Sequence, residues 1–184
     1  MIMSRQAAIH FLLIIVFLFI LTCCTISAPK EVVLYDFEAD EELDRLHWTC
    51  HTLYSLSDHY ATHGLKSLQI ELYPSDYPGL TPMLKQNDWS NYNFFRFDVY
   101  NPQENDLSLS VRIDDRKSYP DYKDRFNKSF ILNPGMNHIR IPLDTLVTSG
   151  KGKNLNLNTI YRVYIFMSHP TKKVILYFDY VKLV

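Results

Sequence analysis

Polar and aromatic residues of the kind that bind ligands are concentrated in the middle of the chain. Arginine offers planar donors, aspartate offers acceptors, and tyrosine offers a flat ring with a hydroxyl group. Such a set suits a sugar, whose ring has one apolar face and a rim of hydroxyls. The alternative is a solvated face of an antiparallel sheet on which opposite charges pair across strands. The predicted ligand-binding residues are Arg112, Asp114, Tyr122, Asp124, Arg125 and Asn127, joined by Tyr164 from a later strand.

The carboxylates of this region are less suited to catalysis. Asp114 and Asp115 are adjacent, so on a strand they point to opposite faces and cannot act as a facing acid and base. Asp114 could face Asp121 or Asp124 across a loop. The sequence contains none of the Gly-x-Ser-x-Gly, His-Glu-x-x-His or phosphate-loop motifs. We therefore expect a protein that binds rather than one that catalyses a reaction.

A histidine-rich stretch could be taken for a zinc site. The stretch contains His47, Cys50, His51, His59 and His63. Histidines four residues apart meet on a helix, but this region has the pattern of strand and loop. In a strand, such residues lie about 13 Å apart. We expect no zinc, since its ligands must converge on one tetrahedral centre.

The elements that must position these residues are short strands separated by turn residues. Strands at this spacing predict an all-β protein, either a sandwich or a barrel, and the two-sheet antiparallel β-sandwich is the fold that we expect. Leu143 to Ser149 is predicted to contain one helical turn. The candidate strands are Val32 to Phe37, Thr49 to Leu56, Ser67 to Tyr73, Phe94 to Tyr100, Leu107 to Asp114, Phe126 to Leu132, His138 to Pro142, Arg162 to Ser168 and Val174 to Leu183.

Alternation along three of these strands predicts which side chains face outward. The strands that begin at Phe94, Leu107 and Arg162 all alternate apolar and polar residues, and we expect one sheet to carry Arg, Asp and Tyr together on its outer face. Irregular segments are predicted at Pro74 to Ser90 and at Lys117 to Lys123, where binding residues often lie. Trp48 and Trp89 are expected to pack in the core or at a hinge, and Trp89 is the better candidate for an exposed sugar platform.

Composition excludes some partners. The chain is 47% hydrophobic and 14% aromatic, which is too apolar for a disordered protein. It has 19 Lys plus Arg against 20 Asp plus Glu, so no positive surplus is available to neutralise a phosphate backbone. We expect no nucleic acid partner.

The N-terminus predicts the compartment. Arg5 precedes a short apolar stretch from Phe11 to Thr22, the layout of a secretory signal in residues 1–28. Leu21-Thr22-Cys23-Cys24 is similar to a bacterial lipobox, which makes Cys24 the lipid-bearing residue. An uncleaved membrane anchor and ordinary cleavage after Ala28 are alternatives. Each places the body, residues 30–184, outside the cytoplasm, as a membrane-anchored bacterial lipoprotein or a secreted protein.

Six short segments, in this order, resemble the galactose-binding-domain-like jelly rolls. That group includes many carbohydrate-binding modules and the non-catalytic modules of agarase-type glycosidases. The resemblance covers nearly the whole body and implies a jelly-roll sandwich. The segments are Asp36-Phe37-Glu38, Thr62 to Leu68, Phe97 to Pro102, Val111 to Asp115, Leu132 to Asn137 with Ile141-Pro142-Leu143, and Leu176 to Leu183.

The resemblance also implies a structural Ca²⁺ site where the first and last strands meet. It places Glu38 and Asp179 as carboxylate ligands, with main-chain oxygens near Lys66 and at Asp36 as further candidates. Calcium accepts such mixtures of carboxylate and carbonyl oxygen. The alternative is that these carboxylates cap strand ends or pair with lysines.

Together these features predict a non-catalytic carbohydrate-binding domain tethered to the cell envelope, with a polysaccharide or glycan as partner. The first alternative is a structural or protein-interaction domain of an envelope assembly. The second is a small glycoside hydrolase.

Overall fold

A computed structural model describes residues 31–184. In that range the chain forms two antiparallel sheets, and its helical elements are 3-10 helices of three to six residues, including one at Leu143–Thr145 inside the predicted segment. The predicted all-β, two-sheet fold is confirmed. The strands are β1 (Val32–Tyr35), β2 (Leu46–His47), β3 (Thr52–Ser57), β4 (Ser67–Leu72), β5 (Gly79–Pro82), β6 (Phe94–Asn101), β7 (Leu107–Asp114), β8 (Phe126–Leu132), β9 (Gly135–Pro142), β10 (Arg162–Phe166) and β11 (Val174–Leu183).

The six-stranded sheet has the order β3-β4-β11-β6-β9, and β1 also pairs with β11. The long strand β11 changes neighbours part-way along one edge. It pairs with β4 up to Phe178 and with β1 from Val181 onward. Its register against β6 shifts between Asp179 and Lys182. The predicted calcium residue Asp179 therefore lies where β11 changes its neighbour from β4 to β1, with β6 on its other side.

The five-stranded sheet has the order β2-β5-β10-β7-β8. Its inner face comes from alternate apolar residues, as predicted. In β7 these are Leu109, Val111 and Ile113, all at most 1% exposed. The matching residues of β6 in the other sheet are Phe95 and Phe97, both fully buried. The two sheets therefore pack face to face over a single apolar core.

The strand β6 lies in the six-stranded sheet, whereas β7 and β10 are neighbours in the five-stranded sheet. The expectation that all three share one outer face is therefore wrong for β6. Alternation shows which side chains point away from the core, but both sheets of a sandwich have such a face. Of these three strands, only β7 and β10 have their outward residues on a shared face.

The segment Pro74 to Ser90, predicted to be irregular, contains β5. Glycine at its first position allows a close approach to β10, because a Cβ on Gly79 would lie 2.3 Å from the carbonyl oxygen of Ile165. Tyr54 on β3 donates a hydrogen bond to the Gly79 carbonyl oxygen at 2.7 Å. Strand β5 is thus fixed to both sheets, and it carries β2 on its outer edge.

Residues 31–184 form both sheets and the apolar core between them. A segment with its own hydrophobic core is expected to fold on its own. The predicted signal, residues 1–28, and Cys24 lie outside the described residues. Within residues 31–184, no helix is long and apolar enough to cross a membrane.

Candidate ligand-binding site

The outer face of the five-stranded sheet brings together most of the predicted ligand residues. Strand pairing places Arg112 of β7 between Tyr164 of β10 and Asn127 of β8. Asp114 pairs with Arg162 one row further along the same strands. Residues far apart in the chain therefore form one continuous surface, as the alternation predicted.

Arg112, Asp114 and Arg162 form a fixed ionic network on this face. Arg112 donates from Nε to Oδ1 of Asp114 at 2.8 Å and from Nη2 to Oδ2 at 2.6 Å. Arg162 donates from Nη1 to the same Oδ2 at 2.6 Å. Bidentate geometry of this kind holds a guanidinium in one orientation. The network leaves two cations for one anion.

Asp114 does not contact solvent, although it was predicted as a ligand-contacting residue. Its side chain is fully buried under the two arginines. Burial of a carboxylate requires strong partners, and one of the two is Arg162, which was predicted to face outward but not to be a ligand residue. Asp114 therefore positions Arg112 and Arg162 rather than meeting a ligand itself.

A groove of about 780 Å³ runs over this network. We call it the aromatic groove. Trp48, which follows β2 at the sheet edge, is 78% exposed, and Tyr119, in the loop after β7, is 79% exposed. Its lining includes His47, Trp48, Asn87, Arg112, Tyr119, Tyr161, Arg162 and Tyr164.

The expectations for the two tryptophans are reversed in the structure. Trp89 is fully buried, stacks on Phe95 with ring centroids 5.1 Å apart, and donates from Nε1 to the carbonyl oxygen of Gln86. Trp48 is the exposed one. Its exposure follows from its place just after the two-residue strand β2, which has no further strand outside it.

Tyr119 is a further site residue that the ligand prediction missed. The guanidinium of Arg162 lies 4.0 Å from the centre of its ring, a distance at which a cation is attracted to the ring face. The signal that could have found it was its position in the irregular segment Lys117 to Lys123, where binding residues were expected.

A second groove, of about 400 Å³, adjoins the first. We call it the basic groove. Arg112 and Tyr164 line both grooves. Among the predicted residues, Tyr122, Arg125 and Asn127 also line the basic groove.

Tyr164 stands at the boundary between the grooves. Its hydroxyl donates to the carbonyl oxygen of Tyr77, and its ring stacks on Phe166 with centroids 4.9 Å apart. Burial raises the pKa of the Tyr164 phenol to about 12. This phenol therefore stays neutral and acts as a donor at physiological pH.

Asp124, the remaining predicted residue, is directed to a different partner. It accepts a hydrogen bond from Nζ of Lys151 at 2.5 Å, and this bond lowers the pKa of its carboxyl. An aspartate engaged in this way is a surface ion pair, which typically contributes little.

The two carboxylates of the predicted calcium site both bind the loop from Thr62 to Lys66. Glu38 accepts hydrogen bonds through Oε1 from the main-chain nitrogens of Leu65 and Lys66, at 2.8 and 2.7 Å. Asp179 accepts through Oδ2 from the main-chain nitrogens of Thr62 and His63. The Lys66 hydrogen bond lowers the pKa of Glu38, whereas burial raises the pKa of Asp179.

This arrangement does not fit a calcium ion as it stands, because N–H groups rather than oxygens face both carboxylates. A cation would require those donors to turn away. Within residues 31–184, no group of three or more His, Cys, Asp or Glu side chains could hold a metal, and the five residues of the histidine-rich stretch form none. The calcium site therefore stays a prediction that requires a measurement.

Several solved structures are similar to this chain at low sequence identity. An exo-beta-agarase matches with a TM-score of 0.67 and 17% identity, over 83% of this chain and 25% of that one. CtCBM11, known from a solution structure with dynamics and binding studies, matches with a TM-score of 0.63 and 20% identity, over 87% and 98%. A family 11 carbohydrate-binding module from Clostridium thermocellum, in complex with a β-1,3-1,4-mixed-linked tetrasaccharide, matches with a TM-score of 0.57 and 17% identity, over 86% and 97%.

The chain has the β-sandwich fold of carbohydrate-binding modules. The fold implied by the sequence resemblance is thereby confirmed. This chain spans about a quarter of the agarase that it matches. No protein-family model matches the sequence, and neither does any curated protein.

Proposed function

We propose that residues 31–184 form a non-catalytic domain that binds a glycan along the outer face of the five-stranded sheet. The observation that carries the proposal is the aromatic groove. It is lined by the exposed side chains of Trp48 and Tyr119 and by two guanidinium groups that Asp114 holds in place.

The chemistry of this groove matches a sugar ring on both of its sides. Burying an exposed tryptophan or tyrosine ring against the apolar face of a sugar removes a large area from water. Arginine and asparagine side chains then donate hydrogen bonds to the hydroxyl rim. Because Arg112 and Arg162 are already fixed by Asp114, binding costs little side-chain entropy at these two residues.

Two further points support this choice of ligand and role. A module of the same fold was solved in complex with a tetrasaccharide. Within residues 31–184, the side chains lining the two grooves include no carboxylate, whereas glycoside hydrolysis generally uses a pair of them.

Isothermal titration of residues 30–184 against a panel of neutral and acidic oligosaccharides tests the proposal. We expect at least one to bind, and we expect Trp48→Ala to weaken binding by tenfold or more, as for a central aromatic contact of about 1.4 kcal/mol. Leu65→Ala is the matched control, since Leu65 is 80% exposed and is not a groove residue. If no saccharide binds a folded sample, the protein-interaction alternative replaces this proposal.

We also propose that the domain is tethered to the cell envelope through a lipid on Cys24, as the lipobox-like segment indicates. Metabolic labelling of the full chain with a fatty acid in a bacterial host tests this. Label on the wild type that disappears in Cys24→Ala supports a lipoprotein. Label that is absent from both, with the protein still membrane-bound, supports an uncleaved anchor.

A further inference from the structure

The basic groove carries an excess of positive charge. Its lining includes the side chains of Arg112 and Arg125 and, within residues 31–184, no carboxylate. The carboxylate beneath the adjacent network, Asp114, is already shared by two arginines, Arg112 and Arg162. The outer face of β7, β8 and β10 therefore presents three guanidinium groups against one aspartate.

Among residues 31–184, Arg125 has no carboxylate as an ion-pair partner. No carboxylate of residues 31–184 lies within 4.0 Å of its guanidinium nitrogens. The neighbouring acids are engaged elsewhere, since Asp124 pairs with Lys151 at 2.5 Å and Asp121 with Lys123 at 3.9 Å.

Arg125 and Asn127 also hold unused hydrogen-bond donors under the groove. Nε of Arg125 and Nδ2 of Asn127 are shielded from solvent and have no acceptor in the described part of the chain. Desolvation and the charge of Arg112 lower the pKa of Arg125. A partly desolvated cation beside a like charge is costly. An anion above the groove would offset that cost by Coulomb attraction without having to reach the shielded atoms.

We propose that the basic groove binds the acidic group of a charged glycan, a carboxylate or a sulfate, next to a sugar ring held in the aromatic groove. The inference rests on the proposed function and adds the class of saccharide. Arg112 and Tyr164 line both grooves, so one chain can cross from the first groove to the second. Arginine is the side chain best suited to bind two oxygens of one anionic group.

Isothermal titration of residues 30–184 tests the inference with three sets of probes. These are neutral agaro-oligosaccharides and mixed-linkage β-glucan oligosaccharides, oligogalacturonates, and sulfated carrageenan oligosaccharides. We expect one of the two acidic sets to bind at least tenfold more tightly than the neutral set, and the set that does so distinguishes carboxylate from sulfate. We expect that binding to weaken as sodium chloride is raised from about 50 to about 500 mM.

The decisive variant is Arg125→Gln. It should weaken acidic binding about tenfold, as expected for loss of one charged hydrogen bond, and should weaken neutral binding by a clearly smaller factor, since Arg125 does not line the aromatic groove. Arg125→Lys should recover part of the loss. The matched control is Arg140→Gln, which removes an arginine stacked on Phe94 in the six-stranded sheet. If Arg125→Gln fails to fold, the salt dependence of acidic-saccharide binding by the wild type decides whether the acidic group binds through its charge.

The outcomes separate this inference from the proposed function. Neutral and acidic saccharides that bind equally well, with no effect of Arg125→Gln or salt, would overturn the acidic ligand and leave glycan binding intact. A folded protein that binds none of the three sets would overturn both.

Discussion

Asp114 is the residue on which the binding face depends, although no ligand can touch it. Asp114→Asn keeps the shape of the side chain but leaves Arg112 and Arg162 without a shared anion. Removing one partner of a buried ion pair typically costs about 3–5 kcal/mol. We expect a loss of that order in the free energy of unfolding, measured by urea denaturation, and weaker glycan binding by the variant that remains folded.

Asp98→Asn is the control for this prediction. Asp98 pairs with His138 on the outer face of the other sheet, where the histidine side chain is 62% exposed. Exposed pairs contribute at most about 1 kcal/mol. Equal losses in the two variants would mean that the arginine network is not a special source of stability.

The titration of the Tyr164 phenol provides a second test on a single residue. Its pKa is raised from 10.0 to about 12 because burial disfavours the phenolate. Because this pKa is higher in the folded than in the unfolded state, the contribution of Tyr164 to the free energy of unfolding is fully present below pH 10. It is lost as the pH rises through about 12. We expect NMR of ring-labelled tyrosines to show a resonance titrating near 12, absent in Tyr164→Phe. A Tyr164 resonance that titrates near 10 would contradict this.

Alternation in the sequence was sufficient to predict that Arg112, Asp114 and Tyr164 point away from the apolar core, but not that β7 and β10 are neighbours. It could not show that Asp114 is buried, because that depends on Arg162 reaching across from β10. Nor could it show that Asp124 turns to Lys151, which lies in a distant loop. Pairs between residues far apart in the chain require the tertiary fold.

At the scale of elements, β5 determines the shape of the aromatic groove. It carries β2, and β2 leads directly to Trp48. In Gly79→Ala the new Cβ would lie 2.3 Å from the carbonyl oxygen of Ile165, so β5 must move away from β10. We expect a loss of about 1–3 kcal/mol in the free energy of unfolding, as for overpacking, and a clear loss of glycan affinity.

Gly152→Ala separates a general loss of stability from a loss of the groove. Gly152 has a φ of 61° and open space where a Cβ would be added, so alanine there causes backbone strain but no clash. It should lower stability and leave glycan binding unchanged. Binding that falls equally in both variants would contradict a specific role for β5.

The sequence pattern did not predict β2 and β5 because they are two and four residues long. A strand of that length shows too few alternations to be recognised. Gly79 and Pro82 at the ends of β5 are typical turn residues. The exposed position of Trp48 depends on β2 being an edge strand, so it could not be predicted without β2.

In the molecule as a whole, the two sheets carry different features. The five-stranded sheet carries both grooves, whereas the six-stranded sheet joins β1 to β11 and contains the junction at Asp179. The first strand of the described residues, β1, therefore lies in the sheet opposite the two grooves. Changes at the junction should affect the stability of the whole fold and leave glycan affinity unchanged.

Removal of calcium tests whether a metal ion stabilises that junction. Since main-chain N–H groups already bind Oε1 of Glu38 and Oδ2 of Asp179, we expect the melting temperature of residues 30–184 to be unchanged by EDTA after exhaustive dialysis. An ion that binds only the folded state would stabilise it by mass action. A fall in melting temperature with EDTA, restored by Ca²⁺ but not by Mg²⁺ and abolished in Asp179→Asn, would establish the site implied by the sequence resemblance. The loop from Thr62 to Lys66 would then have to turn carbonyl oxygens toward the ion.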